Sequence, residues 1–351
     1  MVWTTAARRP QPLQPPGMDE VLRELARVQG GAFSRAQALS RGCTPAELRA
    51  FVRRGWVSPY RGVYVPRALL RLSDPARRHV TLAAARVLTS TLDPLANRRT
   101  AALVHGLPLL GRPPKVPQLV RPPRHPRDRS ETSTLQVAPV PDGDRAVVGG
   151  IPVTSLARTA VDVGRTSPLR DAVVVADAVL RRGVPRGDLL ATADRCARWP
   201  GGAAGLAAVR CADGRADGPL ESITRLAYAA QGLPAPETQV EVWSPEGTFL
   251  GLVDFLWREQ RVVGEADGLE KYDDPLALRK EKRREESLRL CGLEVVRNVW
   301  DEVWTPAAQA ALGARVRQAF ALAARHPAVP GVTFRTPSLE ELLLPPWQRT
   351  Y

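Results

Sequence analysis

Residues 253–268 read VDFLWREQRVVGEADG, and the charged segment that follows them ends in LEVVR at residues 293–297. The first stretch holds two short runs rich in β-branched and aromatic residues, which are joined by the polar turn at 258–260. This pattern predicts a β-hairpin. A long charged helix and a further strand at 294–298 are expected to complete the same unit.

Side chains alternate between the two faces of a strand. Asp254 is therefore expected to share a face with Leu252 and Leu256, and Glu265 is expected to share one with Val263 and with Asp267. Acids on an otherwise apolar face are costly unless an opposite charge offsets them. A divalent metal is a usual offset, since Mg²⁺ favours one or two carboxylates plus water. The stretch is typical of a metal-dependent nuclease site, with Asp254 and Glu265 as the expected Mg²⁺ ligands.

The composition is that of a soluble globular protein. The 351 residues are 44% hydrophobic and 25% charged, which predicts two or three domains. No apolar run approaches the roughly 20 residues of a membrane span, and residues 1–17 lack the apolar core of a secretory signal. The four cysteines show no Cys-x-x-Cys spacing. They suit a reducing cytoplasm and argue against a zinc ribbon or a disulfide framework.

The net charge of +14 is concentrated at the N-terminal end. Residues 1–130 hold 23 Arg and Lys against 7 Asp and Glu, whereas the remainder holds 27 against 29. A preference for arginine over lysine explains why only four lysines occur, but it does not explain a threefold excess of basic over acidic residues. The imbalance predicts double-stranded DNA as the partner of the N-terminal part.

A winged helix-turn-helix is predicted for residues 18–75, after a disordered, Pro-rich tail at 1–17. Thr44 to Glu47 forms a capping box that opens the third of three short helices, and a hairpin follows around residues 59–61. Helix and wing tip expose basic side chains where a recognition helix meets the major groove and a wing meets the backbone. The expected DNA-binding residues are Arg49, Arg53, Arg54 and Arg61.

The remaining segments are predicted as a middle domain, a C-terminal domain and a tail. The middle domain, at residues 76–212, is expected to be α+β. The C-terminal domain, at 213–326, has the order helix, three strands, helix, strand, helix, which predicts an α/β sandwich. Residues 327–351 are expected to be a tail. The predicted fold class is therefore multidomain α/β.

The C-terminal motifs resemble those of PD-(D/E)XK nucleases, and among these the very-short-patch-repair endonucleases. The similarity lies in Glu221 on the leading helix, in Asp254-Phe255, in Glu265-Ala-Asp267-Gly, and in the Gly-x-x-Val-Val-Arg run ending at Arg297. It covers about residues 215–305 and implies a restriction-endonuclease-like fold. The expected catalytic residues are Asp254, Glu265, Asp267, Lys271 and Glu221.

The N-terminal part resembles the AbiEi family of type IV antitoxins. Residues 18–66 are similar to its winged helix, and residues 67–195 are more weakly similar to its middle domain. The motifs of the middle domain are RTAALVHG at 99–106 and VTSLART at 153–159. This resemblance implies a DNA-binding regulator with a cognate toxin protein as a second partner.

The nuclease resemblance has one departure, because Asp267 stands where those enzymes carry lysine. Three of the four lysines follow closely, and Lys271 is the candidate for a migrated catalytic lysine. Lys280 and Lys282 could contact phosphate, although a solvated, salt-bridged helix face explains them better.

Structural alternatives are open for several of the other charged residues. Asp254 and Glu265 could be satisfied by backbone or arginine at a strand end, and Glu221 could pair with Arg225. Asp267 could cap the Gly268 turn. Arg297 could meet the scissile phosphate, or it could pair with Glu294 or Asp301.

Three functions are compatible with these patterns. The first is a Mg²⁺-dependent DNA endonuclease that a winged helix brings to DNA, in a toxin-antitoxin, defence or repair setting. The second is an antitoxin-type regulator whose nuclease fold is inactive. The third is a module that binds a cognate toxin. Retention of both strand acids favours the enzyme, whereas loss of the usual lysine favours the regulator.

Overall fold

The computed structural model describes residues 17–90, 92–124, 135–268, 275–345 and 348, with only the backbone given for 275–278. The chain divides into two compact units. The first comprises residues 1–96, 114–139 and 146–153, and the second comprises residues 97–113, 140–145 and 154–351. This division runs through the predicted middle domain at 76–212.

The first unit begins with three helices and a small antiparallel sheet. The helix caps follow the sequence: Thr44 Oγ1 accepts from the Glu47 backbone N–H at 3.2 Å, and Glu47 Oε2 accepts from the Thr44 N–H at 2.7 Å. The predicted capping box is therefore confirmed. The sheet has the order β1-β3-β2. The elements are α1 (Met18–Arg27), β1 (Phe33–Ser34), α2 (Arg35–Ser40), α3 (Pro45–Arg53), β2 (Trp56–Tyr60) and β3 (Val63–Pro66).

An aromatic core holds α3 against this small sheet. The ring centroids of Phe33 and Phe51 are 5.7 Å apart, and those of Phe51 and Trp56 are 4.6 Å apart. All three rings are buried. Because each ring comes from a different element, their packing fixes the orientation of α3 relative to the β2–β3 hairpin.

The rest of the first unit contains two helices and a five-stranded sheet. Asp74 caps the second of these helices by accepting from the N–H groups of Ala76 and Arg77. The sheet order is β6-β5-β4-β8-β7. The elements are α4 (Arg67–Leu70), α5 (Pro75–Val87), β4 (Leu95–Ala96), β5 (Leu119–Arg121), β6 (Leu135–Val137), β7 (Arg145–Val148) and β8 (Ile151–Thr154).

Five helices open the second unit. Helices α7 and α10 approach closely, since a Cβ on Gly164 would lie 3.0 Å from the Cα of Gly205. A larger residue at either position would therefore push the two helices apart. The helices are α6 (Arg98–Val104), α7 (Leu156–Thr166), α8 (Leu169–Arg181), α9 (Arg186–Arg195) and α10 (Gly202–Cys211).

The C-terminal part of the second unit is a mixed five-stranded sheet with helices. Strands β9, β10 and β11 are antiparallel neighbours, and β12 pairs with β11 in parallel. The order helix, three strands, helix, strand, helix is the predicted one. The elements are α11 (Pro219–Ala230), β9 (Glu237–Trp243), β10 (Phe249–Trp257), β11 (Val262–Ala266), α12 (Pro275–Leu290), β12 (Glu294–Asn298) and α13 (Pro306–Ala323).

The prediction that residues 327–351 form a tail is wrong. Strand β13 (Thr333–Arg335) pairs antiparallel with β9 and forms an edge of the sheet, and helix α14 (Leu339–Leu343) follows it. Arg335 donates two hydrogen bonds to Glu241, at 2.6 and 2.7 Å, and Glu241 is only 1% exposed. A three-residue strand is too short for a periodic pattern, so only its partner strand defines it.

Replacing Arg335 by alanine should destabilise the protein, because it leaves the buried carboxylate of Glu241 without its bidentate partner. We expect a loss of about 2 kcal/mol, below the 3–5 kcal/mol of a fully buried pair, since Arg335 is itself partly exposed. Denaturant unfolding of the variant measures the loss. Arg325→Ala removes an exposed arginine and is the control. Equal stabilities for the two variants would contradict the assigned role of the pair.

Candidate functional site

Two acids predicted from the sequence, one on a helix and one on a strand of the C-terminal sheet, are joined by a glutamine. Gln239 on β9 donates from Nε2 to Glu221 Oε2 at 2.9 Å and to Asp254 Oδ1 at 3.1 Å. The second oxygen of Asp254 accepts from the backbone N–H of Ala266 at 2.8 Å. Glu221 on α11, Asp254 on β10 and the end of β11 thus meet in one acidic site.

Gln239 is the member of this site that sequence reasoning missed. It is 5% exposed, and its backbone has φ of +50°, which is rare for a residue other than glycine. Such a conformation costs about 1–3 kcal/mol and persists only where its surroundings impose it. A single glutamine in an apolar strand gives no sequence signal, but a positive φ at this position aims an amide at two carboxylates.

The regular alternation of side chains along β10 is broken near Asp254. Val253 and Leu256 pack in one hydrophobic cluster, whereas Phe255 packs in another. Period-2 alternation would place Val253 and Phe255 together. The spacing of Asp254, Leu252 and Leu256 therefore does not establish that they lie on one face of β10, as the sequence analysis expected.

Glu265 has an arginine partner from the charged helix. Arg284 on α12 donates from Nη2 to Glu265 Oε1 at 2.6 Å and to Glu281 Oε1 at 3.2 Å, and its Nη1 donates to the carbonyl of Leu252 at 3.0 Å. Glu265 is 5% exposed. One of the two alternatives left open by the sequence, an acid satisfied by arginine at a strand end, is thus observed for Glu265.

Arg297 at the end of β12 gathers three acids. It donates to Asp267 at 2.8 Å, to Glu281 at 2.7 Å and to Glu285 at 3.0 Å. The alternative pairing of Arg297 with Glu294 or Asp301 is not observed among the described residues, since Arg297 pairs with the other three acids and Glu294 pairs with Arg289. Asp267 therefore forms an ion pair with Arg297. This is the residue at which the sequence departs from the nuclease motif, in which a lysine is expected.

The pairing of Glu221 with Arg225, one of the alternatives that the sequence left open, is not observed. Arg225 donates to Asp177 on α8 at 2.8 Å, and Asp177 is buried. Glu221 instead accepts from the backbone N–H of Asp217 at 3.0 Å, in addition to Gln239. Arg225 therefore pairs with Asp177 on a different helix and not with Glu221, the partner that the helical spacing suggested. Lys271, the candidate migrated lysine, lies outside the described residues.

Burial and mutual repulsion shift the acids of the site toward their neutral forms. Burial, followed by the charge of Asp254, raises the pKa of Glu221 to about 8. The same two causes raise the pKa of Glu265 to about 8, although the Arg284 guanidinium opposes them. Burial and the neighbouring carboxylate thus favour the protonated forms of Glu221 and Glu265.

The two motifs of the middle segment are joined to each other and serve packing. The ring Nε2 of His105 donates to the carbonyl of Thr154 at 2.7 Å. Arg158 is buried between Asp144 at 2.9 Å and Asp162 at 2.8 Å, and its guanidinium lies 4.6 Å from the ring centroid of Trp199. A buried arginine satisfied by two carboxylates stabilises the helices around it and offers no open site.

The arginines predicted to bind DNA are all exposed. Arg54 forms an ion pair with Asp19 at 3.0 Å. Within the described part of the chain, Arg49, Arg53 and Arg61 have no ion-pair partner. Arg49 and Arg53 lie on α3, and Arg61 lies in the turn between β2 and β3. Helix and turn thus present positive charge that neighbouring acids do not neutralise.

Comparison with known proteins assigns this region. Residues 20–67 match the protein-family model described as "Transcriptional regulator, AbiEi antitoxin". Residues 20–67 are an AbiEi antitoxin-family domain. The match covers α1, β1, α2, α3 and the β2–β3 hairpin, which is the part that carries Arg49, Arg53, Arg54 and Arg61.

Two curated relatives are similar to a longer part of the chain. Both are uncharacterized proteins of Mycobacterium tuberculosis, from strains CDC 1551 and H37Rv, and each is 32% identical over 168 residues. The alignment covers 44% of this chain and 58% of each relative. Among the described residues, no helix has the length and apolar character needed to cross a bilayer.

The raised pKa of Glu221 gives the stability a pH dependence. The folded state holds a proton on Glu221 up to about pH 8, whereas the unfolded chain releases it near the ordinary value of 4.5. The free energy of unfolding should therefore fall as the pH rises from about 4.5 to 8. Glu221→Gln should make this decline shallower.

Denaturant unfolding in EDTA at pH 5, 6, 7 and 8 measures the slope. Glu259→Gln changes an exposed acid in the β10–β11 turn and should leave the slope as it is. A slope that is the same in Glu221→Gln and in the unaltered protein would show that Glu221 does not titrate in this range.

Proposed function

We propose that the protein is a DNA-binding regulator of the AbiEi antitoxin type. The observation that carries this proposal is the family match at residues 20–67, in the segment whose Arg49, Arg53 and Arg61 have no ion-pair partner among the described residues. In this proposal α1–α3 and the β2–β3 hairpin form a winged helix, α3 enters the major groove, and the β2–β3 turn meets the phosphate backbone. Double-stranded DNA is the proposed partner, and a cognate toxin protein is a second one suggested by the antitoxin family.

The physical support is the distribution of charge. The N-terminal 130 residues carry most of the excess of basic residues, and three of the four candidate arginines have no ion-pair partner in the described part of the chain. An unpaired, exposed guanidinium gains more from a phosphate than a paired one, because no internal ion pair has to be broken.

Substituting Arg49, Arg53 and Arg61 together by alanine should weaken binding to duplex DNA and flatten its salt dependence. Each lost phosphate contact should lower the slope of log K against log salt by about 0.9. Fluorescence anisotropy of the full chain on a labelled duplex, from 50 to 300 mM salt, gives the slope.

The matched control is the triple substitution of Arg198, Arg210 and Arg325 by alanine. These exposed arginines lie outside the matched segment, and their loss changes the net charge by the same amount. Equal slopes for the two triple variants would mean that the arginines act through total charge alone. A slope unchanged by the first triple would place the DNA contact elsewhere in the chain.

We propose further that the C-terminal part has the fold of a PD-(D/E)XK nuclease similar to very-short-patch-repair endonucleases. The element order supports this proposal, as do the hydrogen bonds that join Glu221 to Asp254 through Gln239. Whether that fold hydrolyses DNA depends on the cation that the acids can hold.

Mg²⁺ fits Glu221 and Asp254 better than the predicted pair of Asp254 and Glu265. Gln239 Nε2 already donates to the first two carboxylates and so holds them close together, whereas one oxygen of Glu265 accepts a hydrogen bond from Arg284. In the part of the chain that the structure describes, no three His, Cys, Asp or Glu side chains converge closely enough to hold a metal ion. Mg²⁺ does not need three, since it keeps most of its waters.

A second candidate function, phosphodiester hydrolysis, rests on the repulsion between Glu221 and Asp254, which a bound cation would relieve. Mg²⁺ held there would polarise a phosphate oxygen or lower the pKa of a bound water. Glu221 and Asp254 would hold the ion, and Gln239 would keep the two carboxylates close together. Lys271 and Asp267 stay proposed members of the site.

If the C-terminal part is an active nuclease, the purified protein should nick supercoiled plasmid in Mg²⁺ or Mn²⁺ and not in EDTA. Asp254→Asn should abolish nicking without lowering the melting temperature in EDTA, because removing one of two crowded carboxylates relieves repulsion. Asp301→Asn alters an exposed aspartate and is the control. Metal-dependent nicking retained in Asp254→Asn would contradict the assignment, and its absence in the unaltered protein would leave the regulator as the function.

A further inference from the structure

Arg284 crosses a strand to reach the acidic site. It comes from α12 and contacts the carbonyl of Leu252 on β10 at 3.0 Å before it reaches Glu265 on β11 at 2.6 Å. Its side chain is largely buried. An arginine anchored at three acceptors is held in one position, unlike a cation on a solvated helix face.

Strand β10 leaves space for this arginine at Gly251. A Cβ at residue 251 would lie 2.9 Å from Nη1 and 3.0 Å from Cδ of Arg284. Gly251 has φ of +150°, and the register between β9 and β10 shifts between Phe249 and Gly251. A bulge with glycine is a usual way for a strand to admit a group from a neighbouring element. The backbone and the arginine are therefore fitted to each other.

Two acids of α12, Glu281 and Glu285, belong to the same network. Glu281 accepts from both Arg284 and Arg297, and Glu285 accepts from Arg297. Glu281 thereby braces the guanidinium that holds Glu265. The two arginines supply the positive charge at this end of the sheet, where Asp267 replaces the lysine of the resembling nucleases.

We propose that Arg284 is a built-in cation of the acidic site, which occupies the place beside Glu265 that a divalent metal would need. Glu265 is then the partner of Arg284 and not a metal ligand, and any cation site is confined to Glu221 and Asp254. This inference rests on the proposed nuclease-like fold, but it does not require catalysis or DNA binding. Arg284 acts here as a positioning and charge-compensating residue.

Divalent-ion affinity tests the proposal, with Mn²⁺ as the probe and the full chain titrated by calorimetry and by Mn²⁺ electron paramagnetic resonance. Arg284→Met removes the charge and keeps most of the side-chain volume. We expect Mn²⁺ to bind this variant at least tenfold more tightly, because Glu265 becomes available as a ligand. Adding Glu265→Gln to Arg284→Met should remove the gain.

Glu265→Gln alone should leave the Mn²⁺ affinity of the otherwise unaltered protein as it is. A fall in affinity in that single variant, or no gain in Arg284→Met, would overturn the proposal. If thermal melts show that Arg284→Met does not fold, Arg284→Gln takes its place, since it keeps a donor to Glu265 and lacks the charge.

Two further variants separate this proposal from the proposed hydrolase. Glu221→Gln and Asp254→Asn should each weaken Mn²⁺ binding if those two residues hold the ion. If neither does so, the metal site of the hydrolase fails, while the outcome for Arg284→Met still decides the role of Arg284. DNA binding by the N-terminal arginines is measured separately and bears on neither result.

Discussion

The cost of burying carboxylates in the C-terminal sheet shapes its acidic site. Glu265 and Glu221 lie where water cannot fully solvate them, and Asp254 adds negative charge to both. Each carboxylate has a different compensation: Arg284 for Glu265, and the Gln239 amide with backbone N–H groups for Glu221 and Asp254. A guanidinium cancels charge, whereas an amide only solvates it. Gln239 and the backbone N–H groups therefore solvate Glu221 and Asp254 without neutralising their charge.

A second buried network in the same unit shows what full compensation looks like. Arg158 lies between Asp144 and Asp162, Arg165 donates to Asp162 at 2.7 Å, and Trp199 packs beneath both guanidinium groups. Arg195 also donates to Asp144, so three arginines face two acids there, and the network holds helices together. In the acidic site of the C-terminal sheet the pKa values of two glutamates are raised instead, and perturbed pKa values of this kind mark a candidate functional site.

Charge is also left uncompensated in the first unit, but with the opposite sign. Arg49, Arg53 and Arg61 face solvent around α3 and the β2–β3 turn, in the segment that matches the AbiEi antitoxin family. Positive charge exposed on a helix and a turn suits a polyanion that comes from outside, whereas negative charge buried in a sheet suits a small cation. The two features point to separate tasks for the N-terminal segment and for the C-terminal sheet.

The sequence by itself determined the local elements, because their signals are local. The capping box at Thr44, the strands at 253–257 and 262–266, and the helix that follows them depend on neighbouring residues and on period. The tertiary structure alone decided which charges meet. Arg225 joins Asp177 and not Glu221, and Arg284 finds Glu265 across a glycine bulge. Gln239 and β13 gave no periodic signal, since one buried amide and a three-residue strand acquire their roles only from partners distant in the chain.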